Sequence, residues 1–265
     1  MSQIPPQHVV SAFTTSSTAA MRGNSPKQLG AAWSNGWLIG DTVFSETGTF
    51  GAFSARVREK LTVEGARVVK PLRSTDGRYN VAGWLASAYV PGEPAKRIDE
   101  TAMLALRVEE ALEDARVSLP NAGNAATRTD VFARAEQLAW EETGEAYREL
   151  PVNPAQLVVG HADMVASTLY SGSQAPVVTT IMPTAHLRPR GYSAALAIVD
   201  GLIHGAVDDA VCQRFNFIEH FDQLLLRSVA YRRHVNDLHP GSKAHMRSSI
   251  ERVESLLMSQ AGATM

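Results

Sequence analysis

Residues 156–183 constrain the fold of this chain more than any other stretch. They read QLVVGHADMVASTLYSGSQAPVVTTIMP, where three short apolar runs are separated by a polar loop and by a turn rich in serine, glycine and proline. Short runs of β-branched and other apolar residues, bounded by such turns, are typical of buried strands. The pattern therefore predicts strand, loop, strand, turn and strand, with His161 and Asp163 in the loop.

The sequence around this stretch predicts an α+β protein of two lobes. Residues 1–90 predict a small antiparallel sheet with one helix over 53–61 and turns at 74–77 and 82–83. The sequence PGEP at 91–94 stops any regular element, so it marks the predicted boundary. Residues 91–265 form the predicted helical lobe, which carries the loop. Apolar residues at helical spacing predict helices over 99–117, 130–143, 191–207, part of 208–233, and 243–258.

Composition excludes several classes of partner. Hydrophobic residues make up 45% of the 265 residues and charged residues 20%, as in ordinary globular proteins. The net charge of −2 gives no overall attraction to nucleic acid or to an anionic membrane, so neither is a predicted partner. The single cysteine, Cys212, fits a reducing compartment and a packing role. The first residues show no basic region followed by an apolar core, so a cytoplasmic location is expected.

Two acidic residues attract attention for different reasons. A histidine and an aspartate spaced as His161 and Asp163 are a weak signal alone, because such residues often cap a loop. Asp200 lies in a segment, 191–207, that is apolar on nearly every helical face and is therefore predicted to be buried. A buried carboxylate requires hydrogen-bond donors or a cation. We expect the backbone N–H groups of the loop to supply those donors.

These residues resemble the aminoglycoside phosphotransferase-like, or choline-kinase-like, branch of the protein-kinase-like fold, and within it a group of actinobacterial proteins. Residues 68–90 resemble the strands that lead to the hinge. Residues 157–169 resemble the strand and catalytic loop written H-G-D-x-x-x-x-N, and 187–200 resemble the segment after the metal-binding strand. The resemblance implies a two-lobed kinase-like fold, with a small antiparallel β-sheet N-lobe and a mainly helical C-lobe.

The resemblance also implies roles for individual residues. Asp163 would be the base that accepts the substrate hydroxyl proton, with His161 beside it. Asp200 would be the helix acid that supports the loop. Ser167 stands where the family has a metal-binding asparagine, and Thr180 or Thr179 stands where it has a metal-binding aspartate.

Further positions matter only if nucleotide binding is retained. In that case the resemblance implies nucleotide contacts at Ala88 and Val90, and also at Ser167 and Thr180. The phosphate-binding lysine of the family is replaced by Ser45, which leaves Glu59 of the adjacent helix as a solvated charge. No metal ligand set is predicted.

The missing charges predict a degenerate, pseudokinase-like protein with a binding or regulatory role and no phosphoryl transfer. Its partner would be a protein or a small molecule that the sequence does not identify, and no cofactor is assigned. The alternative is a divergent active ATP-dependent phosphotransferase on a small hydroxylated substrate, with Asp163 as base and ATP and Mg²⁺ as cofactors. A second alternative is a protein-interaction module that uses the C-terminal helices, where Arg227, Arg232 and Arg233 are predicted to form a solvated face.

Overall fold

The chain consists of two compact units. The computed structural model describes residues 3–13, 25–120, 128–151, 153–242 and 244–262. The first unit comprises Met1–Ala95 and Ala166–Met182, and the second comprises Lys96–Val165 and Pro183–Met265. The predicted α+β class is confirmed. The division differs from the boundary predicted after residue 90, because the chain returns to the first unit for Ala166–Met182.

Strands are short and concentrated in the first unit, whereas most helices belong to the second. In chain order the described elements are α1 (Gln7–Phe13), β1 (Lys27–Gln28), β2 (Trp37–Ile39), β3 (Thr42–Glu46), α2 (Gly51–Lys60), β4 (Arg67–Val68), β5 (Pro71–Leu72), β6 (Asn80–Val81), β7 (Trp84–Ala88), α3 (Ile98–Asp114), α4 (Val131–Glu141), β8 (Leu157–Val158), β9 (Thr168–Leu169), β10 (Val177–Val178), β11 (Arg188–Pro189), α5 (Tyr192–Ile203), α6 (Val211–Arg214), α7 (Phe221–Leu238) and α8 (Ala244–Gly262).

An antiparallel sheet forms the centre of the first unit. Its strand order is β1-β2-β3-β7-β5, and β6 also pairs with β7. Successive side chains of a strand point to opposite faces, and β3 follows this rule. Phe44 packs with α1 residues on one face, and Val43 packs with Trp33 and Val69 on the other. The sheet is therefore apolar on both faces along its central strands.

The β6–β7 hairpin turns where the sequence predicted a break. Ala82 and Gly83 have φ angles of 49° and 83°, the left-handed conformations that a two-residue hairpin turn uses. Gly83 adopts such a conformation without steric cost, and the N–H of Gly83 is held by the Asn80 side chain at 3.0 Å.

The three strands of residues 156–183 do not form one sheet. β10 pairs in parallel with β4 and antiparallel with β9, in the first unit. β8 pairs antiparallel with β11, in the second. The polar loop after β8 thus leaves one sheet, and the chain enters a different one at β9.

Helices α3, α4, α5, α7 and α8 form the core of the second unit. Every residue of α5 is buried, as its apolar sequence predicts. This helix packs against α3, α7 and α8. The N-terminus of α4 is capped by Asp130, whose side chain accepts a hydrogen bond from the Ala133 N–H at 3.1 Å. Among the described helices, none combines the length and the apolar character that a membrane crossing requires.

Candidate functional site

The loop after β8 is held by its own histidine. His161 is fully buried and forms a β-bridge with Pro183. The peptide N–H of Asp163 donates a hydrogen bond to His161 Nδ1 at 3.1 Å. Because Nδ1 accepts this bond, it carries no proton. The imidazole therefore fixes the backbone that presents the half-buried Asp163 side chain.

Helix α5 pins this loop through Ser193, a residue that the sequence did not single out. Ser193 Oγ accepts a hydrogen bond from the His161 N–H at 2.8 Å. Ser193 is held in turn by Glu109 of α3, which accepts from the N–H groups of Gly191 at 2.7 Å and Ser193 at 2.9 Å. A carboxylate at the N-terminus of a helix is stabilised by the helix dipole. Burial nevertheless raises the pKa of Glu109, and the hydrogen bonds from Ser193 and Gly191 oppose that effect.

Asp200 supports the loop by a different route from the predicted one. Arg232 of α7 donates two hydrogen bonds to Asp200, from Nε to Oδ1 and from Nη2 to Oδ2, both at 2.6 Å. Arg232 Nη2 also donates to the carbonyl oxygen of Ala162 at 3.1 Å. The buried acid thus acts through a cation, because Arg232 bridges it to the loop where backbone N–H groups were expected.

The Asp200–Arg232 pair is almost dry, and burial raises the pKa of Asp200 although the charge of Arg232 opposes this. The two side chains are 11% and 16% exposed. Burial by itself lowers the pKa of Arg232, but the Asp200 carboxylate outweighs this and raises that pKa above its ordinary value. Asp163 also raises the pKa of Arg232 through its charge, so Asp163 lies within electrostatic reach of this guanidinium. The loop aspartate therefore has a cation beneath it within the same unit.

A second buried carboxylate, Glu136 of α4, fixes the segment before α5. It accepts hydrogen bonds from the N–H groups of Ala185 at 2.7 Å and His186 at 3.1 Å, and from Arg188 Nε at 2.7 Å. Burial alone would raise the pKa of Glu136, but the bonds from His186 and the charge of Arg188 lower it below its ordinary value. Arg188 also lies over the Trp140 ring at 4.4 Å. The segment before α5 is thus positioned by side chains of α4, which lies about 50 residues earlier in the sequence.

Thr180 contacts a serine of α2 in the first unit. Its Oγ1 lies 3.0 Å from Ser54 Oγ of α2. Ser54 Oγ already accepts bonds from the Ile181 N–H at 2.9 Å and from Arg58 Nε at 3.1 Å, so its own proton is directed at Thr180. Thr179, the alternative position for the metal ligand, is turned the other way and donates from its hydroxyl to the Ser167 carbonyl at 3.0 Å. Thr180 is thus the residue that faces α2.

Arg58, which lies in the helix predicted over 53–61, is a buried cation. It is 5% exposed, and its Nη1 donates to the Val69 carbonyl oxygen at 2.8 Å and, at 3.4 Å, to Ser87 Oγ. In the part of the chain that the structure describes, no carboxylate lies within 4 Å of it. Burial lowers the pKa of Arg58 from its ordinary value to about 10, which still leaves it charged at neutral pH.

Arg58 reaches the same sheet face as Ser45. Ser87 is the partner of Val43 across β7 and β3, and Ser45 lies two residues from Val43 on that strand. Residues two apart on a strand share a face. The resemblance predicted a lysine on β3 at this face. The structure instead places an arginine there that extends from α2.

The other charged groups near α2 have structural roles. Glu59 lies at the surface as predicted, and its two oxygens accept from Arg73 Nε at 2.7 Å and Nη2 at 2.8 Å. Lys70 Nζ donates to the carbonyl oxygens at the end of α2, those of Arg58, Glu59 and Leu61, at 3.1–3.3 Å. A cation at a helix C-terminus complements the helix dipole. The Lys70 ammonium is therefore not free to bind a phosphate group.

The residues at which the resemblance implies nucleotide contacts differ in whether their backbone groups are hydrogen-bonded. The N–H of Ala88 donates to the Lys70 carbonyl oxygen at 3.1 Å. Val90 is half-buried against the core of the first unit, and within the described residues its N–H and carbonyl groups make no hydrogen bond. Ser167 is buried, and its carbonyl oxygen accepts from both the N–H and the hydroxyl of Thr179. Among these positions Val90 retains free backbone groups.

The three arginines of α7 do not form a solvated face, so that prediction is wrong. Arg227 is buried and donates to the Glu142 carbonyl oxygen at 2.8 Å. Arg232 is the partner of Asp200, as described above. Arg233 pairs with the side chains of Glu142 at 2.7 Å and Glu254 at 3.0 Å. All three arginines join elements inside the second unit, so they supply no basic patch for a partner.

Sequence signals existed for the anchoring acids. Glu109 lies four residues after Ala105 and three before Leu112, on the apolar face of α3, and Glu136 lies between buried alanines on α4. An acid on an apolar helix face needs donors from elsewhere in the fold. No three His, Cys, Asp or Glu side chains in the described ranges lie together where they could hold a metal ion.

Neither a scan against protein-family models nor a search of curated proteins found a match for this chain.

Proposed function

We propose that this chain is a kinase-like protein of the aminoglycoside phosphotransferase type that binds a ligand and does not transfer a phosphoryl group. The proposal includes the two-lobed protein-kinase-like fold that the resemblance implies. One observation carries it. Thr180, which stands where the resemblance implies a metal-binding aspartate, is hydrogen-bonded to Ser54, whose hydroxyl also accepts from Arg58.

The absence of an acid among the described groups around Ser54 supports the proposal. Phosphoryl transfer depends on positioning and on neutralising charge, with metal ions held by anionic ligands. Here the groups that meet around Ser54 are two hydroxyls, one peptide N–H and one guanidinium. Removing one preorganised charged or polar group costs an enzyme about 3 kcal/mol of transition-state stabilisation. The absence of a carboxylate at position 180 and of a strand lysine at position 45 would therefore remove most of the rate.

Binding is the part of the proposal that the hinge supports. The backbone groups of Val90 are without partners among the described residues, and a planar heterocycle can bond to such an N–H and carbonyl. Arg58 supplies a positive charge that α2 holds at the sheet face. A nucleotide or nucleoside bound there would need no magnesium, because the protein supplies no anionic ligand at position 180.

The active phosphotransferase remains the second candidate, and one observation favours it. The backbone of Asp163 is fixed by His161, and the loop is supported by Ser193 and Arg232. A well-ordered loop of this kind would position a general base. The interaction-module alternative has lost its basis in the α7 arginines, since all three are bound within the unit.

Thermal unfolding of the full chain with ATP, ADP and adenosine, each with and without Mg²⁺, separates the two candidates. A ligand that binds the native state raises the unfolding temperature by an amount that grows with the ratio of its concentration to its Kd. The proposal predicts stabilisation by at least one of these ligands that is the same with magnesium and with EDTA. Saturable stabilisation that requires magnesium would contradict it, and no stabilisation by any of the three would contradict both the proposed nucleotide site and the active enzyme.

A further inference from the structure

A cavity of about 530 Å³ lies within the second unit, away from the catalytic-loop residues. Residues of α3, the segment before β8 and the segment between α6 and α7 line it, and its described lining contains neither His161 nor Asp163. Cavities of roughly 300–1,000 Å³ are the size that small-molecule ligands occupy. The volume alone does not indicate a ligand, but the side chains around it do.

One hydrogen-bond donor in the lining lacks an acceptor. Arg107 Nε is buried without a partner, and in the described part of the chain Arg107 makes no hydrogen bond or ion pair. His220 Nε2 makes no hydrogen bond either, but a carboxylate oxygen of Glu219 lies 3.5 Å from it. Buried polar groups in native proteins are nearly always bonded, and leaving one without a partner costs stability. An acceptor from outside the protein would satisfy Arg107.

The remaining charged groups of the lining are largely engaged or exposed. Arg190 donates to Glu113 at 2.5 Å, and Glu219 accepts from Gln156 at 3.2 Å. Glu110 is exposed to solvent. Among the described lining residues Arg107 is therefore the arginine without an acidic partner, and one such cation suits a ligand with a single negative charge better than a dianion.

The walls of the cavity include large apolar side chains that are otherwise exposed. Phe217 is 63% exposed and Met103 is 43% exposed. Ile218, Leu150 and Pro151 extend the apolar lining. Exposed apolar side chains gathered at one cavity mark a binding site, because a ligand with a hydrocarbon body removes their surface from water.

We propose that this cavity binds a small organic acid whose single carboxylate bonds to Arg107 and whose apolar body packs against Phe217 and Met103. An arginine recognises a carboxylate through charge-assisted hydrogen bonds, which are stronger than bonds between neutral groups. The site is independent of the proposed nucleotide function, since all its residues belong to the second unit and none belongs to the catalytic loop.

Titration calorimetry on the full chain with 3-phenylpropionate tests this proposal. The expected result is saturable binding that weakens about tenfold or more for the neutral 3-phenylpropanamide and for inorganic phosphate. Arg107→Gln is expected to weaken the acid about tenfold, and Phe217→Ala is expected to weaken it by a smaller factor. The matched controls are Arg134→Gln and Phe132→Ala, exposed residues of α4 outside the cavity, and both should bind like the wild type.

Several outcomes would overturn the proposal. They are equal affinity of Arg107→Gln and Arg134→Gln, binding of the amide or of phosphate as tightly as the acid, and no saturable binding of the acid to the wild type at millimolar concentration. Thermal unfolding shows whether each variant is folded. Should Arg107→Gln fail to fold, Phe217→Ala and the acid–amide comparison decide the question.

Discussion

Replacing Arg58 with methionine tests whether this buried cation is held by neutral partners alone. Methionine has a similar length and flexibility, so the space beneath the sheet stays filled. The charge is removed, and the Val69 carbonyl oxygen loses its 2.8 Å bond. Ser54 Oγ keeps two other partners, Thr180 and the Ile181 N–H.

The two effects of this change nearly cancel. Burial lowers the pKa of Arg58 from its ordinary value to about 10, which corresponds to about 3 kcal/mol of unfavourable free energy for holding the charge, and methionine relieves this. Leaving the Val69 carbonyl without a donor costs about 1–3 kcal/mol. We therefore expect the free energy of unfolding of Arg58→Met to stay within about 2 kcal/mol of the wild-type value.

Urea unfolding followed by tryptophan fluorescence measures this change in the first unit. Three of the four tryptophans, Trp33, Trp37 and Trp84, belong to that unit, so a Trp140→Phe background makes the signal specific to it. Arg56→Met is the matched control, because Arg56 is an exposed arginine of the same helix. It should change the free energy of unfolding by less than about 0.5 kcal/mol.

A large loss of stability would refute this reasoning. Breaking a buried ion pair by removing one partner costs about 3–5 kcal/mol, since an uncompensated charge remains. A loss of that size in Arg58→Met, with Arg56→Met unchanged, would mean that Arg58 is paired with an acid. An acid would then belong to the contacts around Arg58 and Thr180, contrary to the description of the site.

The contacts described above lead to three further predictions. Glu109→Gln should destabilise the protein by about 2 kcal/mol in urea unfolding, because an amide offers one acceptor oxygen where two N–H groups donate. Glu110→Gln, on the exposed face of the same helix, should change the free energy of unfolding by less than about 0.5 kcal/mol. Equal effects of the two substitutions would contradict the anchoring role of Glu109. The hydrogen bond from Arg73 lowers the pKa of Glu59 from 4.5 to about 2, so the stability that this pair contributes is complete above pH 4.5 and is lost as the pH falls toward 2. Glu59→Gln should therefore reduce the loss of stability between pH 4.5 and pH 2. An unchanged loss of stability over this range would refute the pairing. Burial raises the pKa of Cys212 to about 11, so at pH 8 the folded protein should react with a thiol reagent at least about 100-fold more slowly than the urea-unfolded chain, and comparable rates would show that the thiol is accessible.

Features that depend on a few neighbouring residues were predictable from the sequence. The turn at Ala82-Gly83 and the burial of α5 follow from local patterns of turn and apolar residues. Pairings between distant segments were not predictable. Nothing local to Val178 indicates that it lies beside Val68, because parallel pairing leaves no mark in either short apolar run.

The candidate site divides in the same way. The position of Asp163 in a loop after a short strand follows from the sequence, and so does the burial of Asp200. The partner of Asp200 did not follow, because Arg232 lies 32 residues away on another helix and its charged neighbours in sequence suggested a solvated face. Arg58 was hidden for the opposite reason, since a basic residue in an amphipathic helix normally points to solvent.

Phosphoryl transfer by the wild type and by Asp163→Asn tests the central proposal most directly. The measurement is release of ADP and phosphate from ATP with Mg²⁺, with and without a panel of small hydroxylated acceptors, and Asp208→Asn is the control because Asp208 is 78% exposed. The account predicts that all three proteins show the same background rate, since no anionic ligand at position 180 and no lysine at position 45 stabilise the transferring group. Magnesium-dependent turnover by the wild type and by Asp208→Asn that is abolished in Asp163→Asn would contradict it.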